Sequence, residues 1–398
     1  MDKLRAQFRK RLQYVSTDFI RSDLYKVGWN ARLVGIKGAR GIGKTTLLLQ
    51  HIKLNYSNNL EEVLYISMDS LLVSNTSLIE IAEQFVQQGG KVLYIDEIHK
   101  YHSWIQELKN IYDDYPELKV VFTGSSLLEM LHSKADLSRR AILYTMQGLS
   151  FREFIEFEKQ ISLPSYSLED IIANHTEIAD ELTQRFKPLS LFKDYLEYGY
   201  YPFYKEGREF YDLKLNQVIQ LILEIELPQH REVEIAYISK LKQLLLVIAE
   251  AVPFIPNISK LSQKMGIHRN TLMSYINYLE EVALTTNIYS ATKGTSALQK
   301  PNKIYLENTN LVHALSQGNI SAGTLRESFF ANQLRVSHQL HLPPKGDFIV
   351  DKTYVFEVGG SAKGIRQIKD VANAYVVADN IEIGFERKIP LWLFGFLY

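Results

Sequence analysis

The chain has 398 residues, 46% of them hydrophobic and 23% charged, which predicts a globular protein of about two to four domains. Lysine and arginine (45) balance aspartate and glutamate (45), so binding by bulk positive charge is excluded, whereas a local basic patch is not. The chain contains no cysteine, which excludes disulfides, zinc–thiolate sites and cysteine nucleophiles and fits a reducing compartment.

Residues 1–30 predict a basic, partly helical segment in which Phe8, Leu12 and Tyr14 or Val15 share one apolar stripe. Its basic residues favour a solvated face over a nucleic-acid contact. The segment lacks the apolar centre of a signal peptide, and no run of about 18 apolar residues follows in the chain. We therefore expect a cytoplasmic protein that has no membrane partner.

A glycine-rich stretch follows the apolar run Leu33–Ile36 and precedes a helical run. It reads Gly-Ala-Arg-Gly-Ile-Gly-Lys-Thr and fits the phosphate-binding loop between a strand and a helix. The glycines let backbone N–H groups point inward at phosphate, and the helix start adds partial positive charge. Lys44 is expected to contact the β- and γ-phosphates, and Thr45 to ligate Mg²⁺. The predicted nucleotide contacts are Gly38, Ala39, Arg40, Gly41, Ile42, Gly43, Lys44, Thr45, Thr46 and Asp96.

Two acids, Asp96 and Glu97, follow the apolar run Val92–Ile95. In P-loop enzymes the first acid of such a pair holds Mg²⁺ and the second polarises the attacking water, and we predict these roles here. Adjacent side chains point to opposite faces of a strand, so both acids can serve one site only where the strand ends. The alternative is a strand that ends in two surface acids.

Polar and basic residues after the next strand supply further candidates. Ser125 is the first choice, and Thr123 the second, for holding the nucleophilic water or the γ-phosphate; a helix cap is the alternative for Ser125. Arg139 and Arg140 are candidates for an arginine finger that acts on a neighbouring subunit's nucleotide, against a surface salt bridge.

Hydrophobic patterning divides the chain into five predicted regions. Residues 31–148 alternate helical stretches with continuous apolar runs, which predicts an α/β domain whose parallel sheet carries helices on both sides. Residues 149–250 predict a helical linker region, because long helical patterns dominate there and alternating strands are absent. The predicted strands of the first domain are Leu33–Ile36, Val63–Ile66, Val92–Ile95, Val120–Phe122 and Ile142–Thr145.

Residues 251–296 predict a winged helix-turn-helix: a helix capped by Asn257, a turn at Gly266, a second helix and a β-rich stretch. We expect weak, largely non-specific binding of nucleic acid, most simply DNA, with a protein contact as the alternative. The predicted contacts are Lys260, Lys264, Arg269, Asn270, Ser274, Asn277 and Lys293, with His268 as an addition.

Residues 297–398 predict a small α/β domain. Its strand candidates are Lys303–Leu306, Phe348–Val350, Tyr354–Val358, Tyr375–Val377 and Leu391–Phe396.

Over nearly its whole length the chain resembles the AAA+ ATP-binding proteins of bacteria and archaea that carry a winged helix and a restriction-endonuclease-like domain. The resemblance rests on Asp96-Glu97-Ile98-His99-Lys100, the Leu-Ser-Phe-Arg-Glu-Phe run and the Gly-Tyr-Tyr-Pro turn, together with Tyr305-Leu306-Glu307-Asn308 and Glu357-Val358-Gly359-Gly360. It implies a P-loop core of the ASCE type, a helical lid and oligomeric action on nucleic acid.

Three acids of the last domain form a candidate nuclease-like remnant. Glu327 lies in a helical stretch, Asp347 opens one strand, and Glu357 lies near the end of the next, as in restriction-endonuclease-like folds that hold Mg²⁺. Such sites add a lysine two positions after the last acid, and here that position is Gly359. Lys363 can replace it only if the turn folds it back over the strand. We therefore expect a domain that binds metal weakly if at all and serves as a nucleic-acid or subunit contact, with cleavage as the alternative.

Three functions fit these patterns. The first is an oligomeric ATPase that uses ATP and Mg²⁺ to bind or remodel nucleic acid. The second is an ATP-gated nuclease, and the third is a signalling or assembly switch that binds protein partners. No Asn-Lys-x-Asp guanine signature is present, so adenine is the expected base by default.

Overall fold

The structure is a computed structural model that describes residues 1–74, 76–124, 137, 139–228, 235–290, 300–316 and 320–398. The chain divides into two compact units, Met1–Gly148 and Leu149–Tyr398. The predicted boundary at residue 148 falls between them, and the further boundaries that we predicted within 149–398 stay predictions.

In the described part of the first unit, five parallel strands form a sheet in the order β2-β3-β4-β1-β5. Because the strands are parallel, the loops that follow β1 and β3 leave the same edge of the sheet. The glycine-rich loop after β1 and the acids Asp96 and Glu97 at the end of β3 therefore lie at the same edge of the sheet. The strands are β1 (Leu33–Lys37), β2 (Val63–Ser67), β3 (Val92–Asp96), β4 (Lys119–Gly124) and β5 (Ile142–Thr145).

These strands match the predicted ones, and burial explains why the pattern was readable. Every residue of β2 and β3 is buried, as continuous apolar runs require. The edge strand β5 departs from that expectation, since Ile142 is exposed and Leu143 is half-buried. The other edge strand, β2, is buried because further residues cover it, among them Phe8, whose ring lies 6.3 Å from that of Tyr65.

Helices cover this sheet: α1 (Asp2–Gln13), α2 (Asp23–Lys26), α3 (Lys44–Asn55), α4 (Leu78–Gln87) and α5 (Trp104–Asp114). A capping box of Ser77 and Glu80 begins α4 and satisfies backbone N–H groups that would otherwise lack partners. Helix α1 buries Leu4, Phe8 and Leu12, which confirms Phe8 and Leu12 of the predicted stripe, whereas Tyr14 follows the helix and is exposed.

The second unit begins with α6 (Phe151–Lys159), α7 (Leu168–Arg185), α8 (Pro188–Tyr198) and α9 (Tyr211–Leu221), the last continuing as a π-helical turn. Further along are α10 (Ile235–Glu250), α11 (Ile258–Met265), α12 (Arg269–Glu281), α13 (Thr309–Leu315) and α14 (Ala322–Leu334). Asn257 caps α11 through its side chain, and Gly266 ends the helix in a left-handed conformation, φ 63°.

A mixed sheet runs through the described part of the second unit in the order β12-β11-β10-β9-β8-β6-β7. Strands β6 and β7 pair as an antiparallel hairpin after α12, and β6 also pairs with β8. The predicted boundary at 296/297 lies outside the described residues, and β6 and β7, which precede and follow it in sequence, belong to one sheet. The strands are β6 (Thr285–Ser290), β7 (Lys303–Leu306), β8 (Leu340–Leu342), β9 (Phe348–Val350), β10 (Tyr354–Gly359), β11 (Ala374–Ala378) and β12 (Lys388–Pro390).

The predicted strand Leu391–Phe396 is wrong, because these residues form a 3-10 helix. All of them are buried, and their rings face different neighbours: Phe394 packs on Phe330, whereas Phe396 packs on Phe151. A strand sends alternate side chains to opposite faces, whereas a tight helix distributes them all round its axis. A short apolar run does not distinguish the two cases.

Candidate functional site: a P-loop edge and an acid cluster

The phosphate loop spans the six residues between β1 and α3, and its glycines carry the geometry. Gly41 (φ 84°) and Gly43 (φ 99°) lie in the left-handed region, which other residues rarely adopt. A Cβ on Gly38 would lie 2.3 Å from the carbonyl oxygen of Met146. The sequence therefore needs glycine at these positions to let the loop curl.

Lys44 is the first residue of α3 and is buried, 4% exposed. Its Nζ donates to the carbonyl oxygens of Gly38 (3.0 Å) and Ala39 (2.9 Å), so the ammonium group lies across the mouth of the loop. Ile42 is buried as well, and its carbonyl accepts from Arg21. Arg40 is half-buried and Thr46 is exposed.

Asp96 ends β3 at 2% exposure, and hydroxyl groups hold both of its carboxylate oxygens. Thr45 Oγ1 (2.7 Å) and the Tyr65 hydroxyl (2.8 Å) donate to Oδ2, and Thr123 Oγ1 (2.5 Å) donates to Oδ1. The loop threonine and the first acid are thus in direct contact. A threonine hydroxyl beside a carboxylate is the oxygen donor set that Mg²⁺ favours.

Glu97 leaves the strand at once, because its backbone is left-handed, φ 55° and ψ 42°. Its N–H donates to Thr123 Oγ1 (3.0 Å), and its Oε2 lies 3.5 Å from His99 Nε2. The two acids therefore diverge where the strand ends, which is the condition that the sequence imposed for separate roles at one site. His99 is buried beside Glu97 in the turn that follows.

Thr123, the second choice from the sequence, is fully buried and its hydroxyl contacts both acidic residues. The first choice, Ser125, lies outside the described residues. Sequence reasoning missed Tyr65, which reaches Asp96 from β2, and Arg21, which ties Ile42 to the carbonyls of Gln147 (2.9 Å) and Gly148 (3.0 Å). Neither residue belongs to a motif, because each acts through a contact distant in sequence.

The two finger candidates differ in their surroundings. Arg140 forms a two-pronged salt bridge with Asp113 of α5, with Nε–Oδ1 and Nη2–Oδ2 both at 3.0 Å. Arg139 is exposed. The predicted surface salt bridge is thus observed for Arg140.

The predicted nucleic-acid contacts lie on and beside α11 and α12. Lys260, Lys264, Arg269, Asn270 and Asn277 are exposed, and so is His268. The Ser274 side chain instead donates to the Asn270 carbonyl (3.1 Å), within the helix. Lys293 lies outside the described residues.

In the second unit the structure brings lysines to the predicted acids. Lys303 Nζ lies 3.3 Å from Glu327 Oε2 and 3.7 Å from Asp347 Oδ1, so it bridges a residue of α14 and the residue before β9. Glu327 Oε2 also accepts from the Tyr305 hydroxyl (2.6 Å), and Asp347 Oδ2 accepts from the Val358 N–H (2.9 Å).

Lys363 folds back over the strand, as the sequence condition required, and forms an ion pair with the buried Glu357. A Cβ on Gly359 would meet Lys363 Cγ at 2.7 Å, so glycine leaves room for the lysine stem. An open pocket of about 540 Å³ lies here, lined by Lys345, Gly346, Asp347, Glu357, Lys363 and Gln367.

The cluster does not fit a metal site built from its three acids. Across the described ranges, no group of three or more aspartate, glutamate, histidine or cysteine side chains is placed to hold a metal ion. Lys303 takes the place between Glu327 and Asp347 that such an ion would need. In the same ranges, no helix combines the length and apolar character needed to cross a membrane.

Comparisons with known proteins agree with the geometry of the first unit. Residues 30–155 match the family model of the AAA domain, and residues 189–321 match that of a domain of unknown function, DUF8612. Residues 30–155 therefore form an AAA domain with a P-loop, which confirms the predicted α/β fold of this region and the AAA+ part of the resemblance.

One curated relative spans almost the whole chain. The uncharacterized protein MJ1637 of Methanocaldococcus jannaschii is 28% identical over 416 residues, which cover 96% of this chain and 86% of that protein. Among solved structures, AMPPCP-bound DnaA from Aquifex aeolicus is 14% identical over 65% of this chain and 84% of its own, with a TM-score of 0.26. The Hsp104–ADP complex of S. cerevisiae is 14% identical over 70% and 39%, with a TM-score of 0.28.

Proposed function

We propose that this protein is an ATPase that binds ATP with Mg²⁺ and hydrolyses it slowly when alone. The observation that carries the proposal is the meeting of the P-loop with the acids: Thr45 Oγ1 lies 2.7 Å from Asp96 Oδ2. Phosphoryl transfer needs little beyond positioning and charge stabilisation, and one sheet edge supplies the groups for both.

Each residue has a distinct task in this proposal. The loop N–H groups and Lys44 bind the β- and γ-phosphates, and Thr45 and Asp96 hold Mg²⁺, which neutralises charge on the phosphate oxygens. Glu97, turned away from Asp96 by its left-handed backbone, orients and polarises the attacking water. Thr123, bonded to both acidic residues, fixes their separation.

We propose further that ATP hydrolysis is coupled to nucleic acid. The exposed Lys264 lies in the last turn of α11, and the exposed Arg269 is the first residue of α12. In a helix-turn-helix, phosphate contacts would fall at these positions. Turnover should be measured with duplex DNA, with RNA and without polymer. Stimulation by a polymer supports the proposal; identical rates in all three favour the signalling or assembly switch.

Binding itself has a sharper test. Duplex affinity should fall steeply with salt, and Lys264→Ala with Arg269→Ala should reduce the slope of log affinity against log salt by about two. Lys91→Ala, which removes an exposed lysine of the first unit, should leave the slope unchanged. Affinity that does not change between low and moderate salt would contradict phosphate contacts.

We also propose an oligomer in which Arg139 acts on the neighbour's nucleotide, since Arg140 is held by Asp113. Mixing Lys44→Ala subunits with Arg139→Ala subunits should restore part of the turnover that each variant lacks alone, because mixed interfaces pair an intact P-loop with an intact arginine. An ATP-saturated monomer that turns over at the full rate would rule this out.

The ATP-gated nuclease is the second candidate, and the return of Lys363 to Glu357 favours it. Lys303 opposes it, because an ammonium group already neutralises Glu327 and Asp347. We therefore propose that the second unit contacts nucleic acid or a neighbouring subunit without cutting. Supercoiled plasmid and single-stranded DNA, incubated with Mg²⁺ or Mn²⁺ and with or without ATP, should stay intact. Cleavage lost in Asp347→Ala and Glu357→Ala, but kept in Asp370→Ala, would promote the nuclease.

A further inference from the structure

Helix α1 reaches the Asp96 carboxylate through one tyrosine. Arg11, in the last turn of α1, donates from Nη1 to the Tyr65 hydroxyl (2.9 Å), and that hydroxyl donates to Asp96 Oδ2 (2.8 Å). The Arg11 guanidinium also lies 5.5 Å from the centre of the Tyr65 ring. Tyr65 is 3% exposed, so water does not compete well for these bonds.

The chemistry of the three groups fixes the direction of this chain. A guanidinium can only donate and an ionised carboxylate can only accept, whereas a phenol donates one proton and accepts as well. Arg11 therefore occupies a lone pair of the Tyr65 oxygen and leaves its proton for Asp96.

We propose that Tyr65 is a positioning residue for the metal-binding carboxylate of Asp96, and that Arg11 makes this role depend on the seating of α1. The inference rests on the proposed ATPase function. Hydrogen bonds from outer groups orient metal ligands, and their loss commonly costs about 10- to 100-fold in metal affinity. Thr45 and Thr123 hold Asp96 from the loop and from β4, and Tyr65 adds the restraint from β2.

The seating of α1 determines where Arg11 lies. Phe8 and Leu12 are buried, and the Phe8 ring lies 6.3 Å from that of Tyr65. On the exposed side, Arg9 pairs with Glu61 just before β2 (2.5 Å). A shift of the helix would therefore carry Arg11 away from the phenol without unfolding the site.

The chain offers matched controls. Tyr94 is the register partner of Tyr65 on β3, is equally buried, and bonds His51 through its hydroxyl (2.7 Å). Tyr94→Phe removes a buried hydroxyl two residues before Asp96 without touching that carboxylate. Lys10→Met is the control for Arg11→Met, because it removes an exposed cation from the same last turn of α1.

The experiment measures ATP turnover and ATP binding against Mg²⁺ concentration, and thermal unfolding without nucleotide. Tyr65→Phe should raise the half-saturating Mg²⁺ concentration about tenfold and leave metal-free nucleotide binding unchanged. Arg11→Met should shift it in the same direction by less, whereas Tyr94→Phe and Lys10→Met should not shift it.

Equal Mg²⁺ curves for Tyr65→Phe and Tyr94→Phe would overturn the inference and leave the ATPase proposal standing. The inference would also be overturned if Tyr65→Phe lowered the unfolding temperature and weakened metal-free nucleotide binding enough to account for the whole change in the Mg²⁺ curve. A wild-type protein that binds no nucleotide would instead overturn the proposed function, and this inference with it.

Discussion

The two units surround the acids of their candidate sites with different chemical groups. In the first unit, neutral hydroxyl groups of Thr45, Tyr65 and Thr123 surround Asp96 and leave its negative charge in place. In the second unit, Lys303 and Lys363 supply ammonium groups to Glu327, Asp347 and Glu357. Hydroxyl donors orient a carboxylate for a cation that arrives from solution, whereas a lysine takes the place of that cation.

The largest test of this contrast removes the lysine of the loop. Lys44→Ala should abolish measurable nucleotide binding, a loss of at least about 100-fold, because the ammonium group across the loop supplies charge to the phosphates. Fluorescent-nucleotide titration measures it. Lys53→Ala, which removes a lysine from the same helix, should bind normally, and equal binding by both variants would contradict the site.

Glu97→Gln should separate binding from chemistry. ATP should still bind because Thr45 and Asp96 remain, while turnover falls about 10²- to 10⁴-fold without the water-polarising carboxylate. Single-turnover kinetics check this, with Glu83→Gln on the exposed face of α4 as the control. Wild-type turnover by Glu97→Gln would assign the base elsewhere.

Lys303→Met tests the second unit. It leaves Glu327 and Asp347 without their shared ammonium group, and their side chains are 17% and 21% exposed. The free energy of unfolding should fall by about 2–3 kcal/mol. Mn²⁺ should restore part of it in nucleotide-free protein, while the wild type and Lys345→Met should not respond. A wild-type protein that Mn²⁺ stabilises, and that loses this response in Asp347→Asn, would make the cluster a metal site.

A smaller effect is the pH dependence of stability that His51 gives to the first unit. Burial lowers the pKa of His51 from 6.5 to about 4, because its ring stacks on Trp29 and bonds Tyr94. The unfolded chain binds the proton first, so stability is full above about pH 6.5 and falls as the pH drops toward 4.

At about pH 5 this loss should reach about 2 kcal/mol in the wild type and be absent from His51→Gln. Denaturant unfolding followed by tryptophan fluorescence at pH 7.5 and 5 measures the narrowing gap between the two proteins. The exposed His102→Gln should behave like the wild type. If the difference in unfolding free energy between the two proteins were the same at both pH values, the pKa of His51 would not be lowered by folding.

The sequence predicted the parallel sheet, the phosphate loop after β1 and the two acids at the end of β3, because a motif and a strand pattern are local features. Each apolar run of the first unit became a strand, and Asp96 and Glu97 lie where β3 ends. Tyr65, Arg21 and Lys303 were not predictable in this way. The partners that bring them to the sites, Asp96, Ile42 and Glu327, lie at least 21 residues away, so only the fold brings them together.

The same reason explains Leu391–Phe396 and Arg140. A run buried on every side carries no period, so strand and 3-10 helix looked alike until its aromatic neighbours were known. For Arg140 the sequence left a finger and a salt bridge open, and the position of Asp113 on α5 settled the contact.

Gly359 has a consequence for how such domains are recognised. A search for an acid and a lysine two positions apart would miss this chain. Lys363 nevertheless pairs with Glu357, because Gly359 has no side chain and leaves room for the lysine stem. The single methyl group that Gly359→Ala adds would then displace the charged Lys363 side chain, although the substitution changes no charged residue. Spacing along a chain is a proxy for distance, and one residue without a side chain can break it.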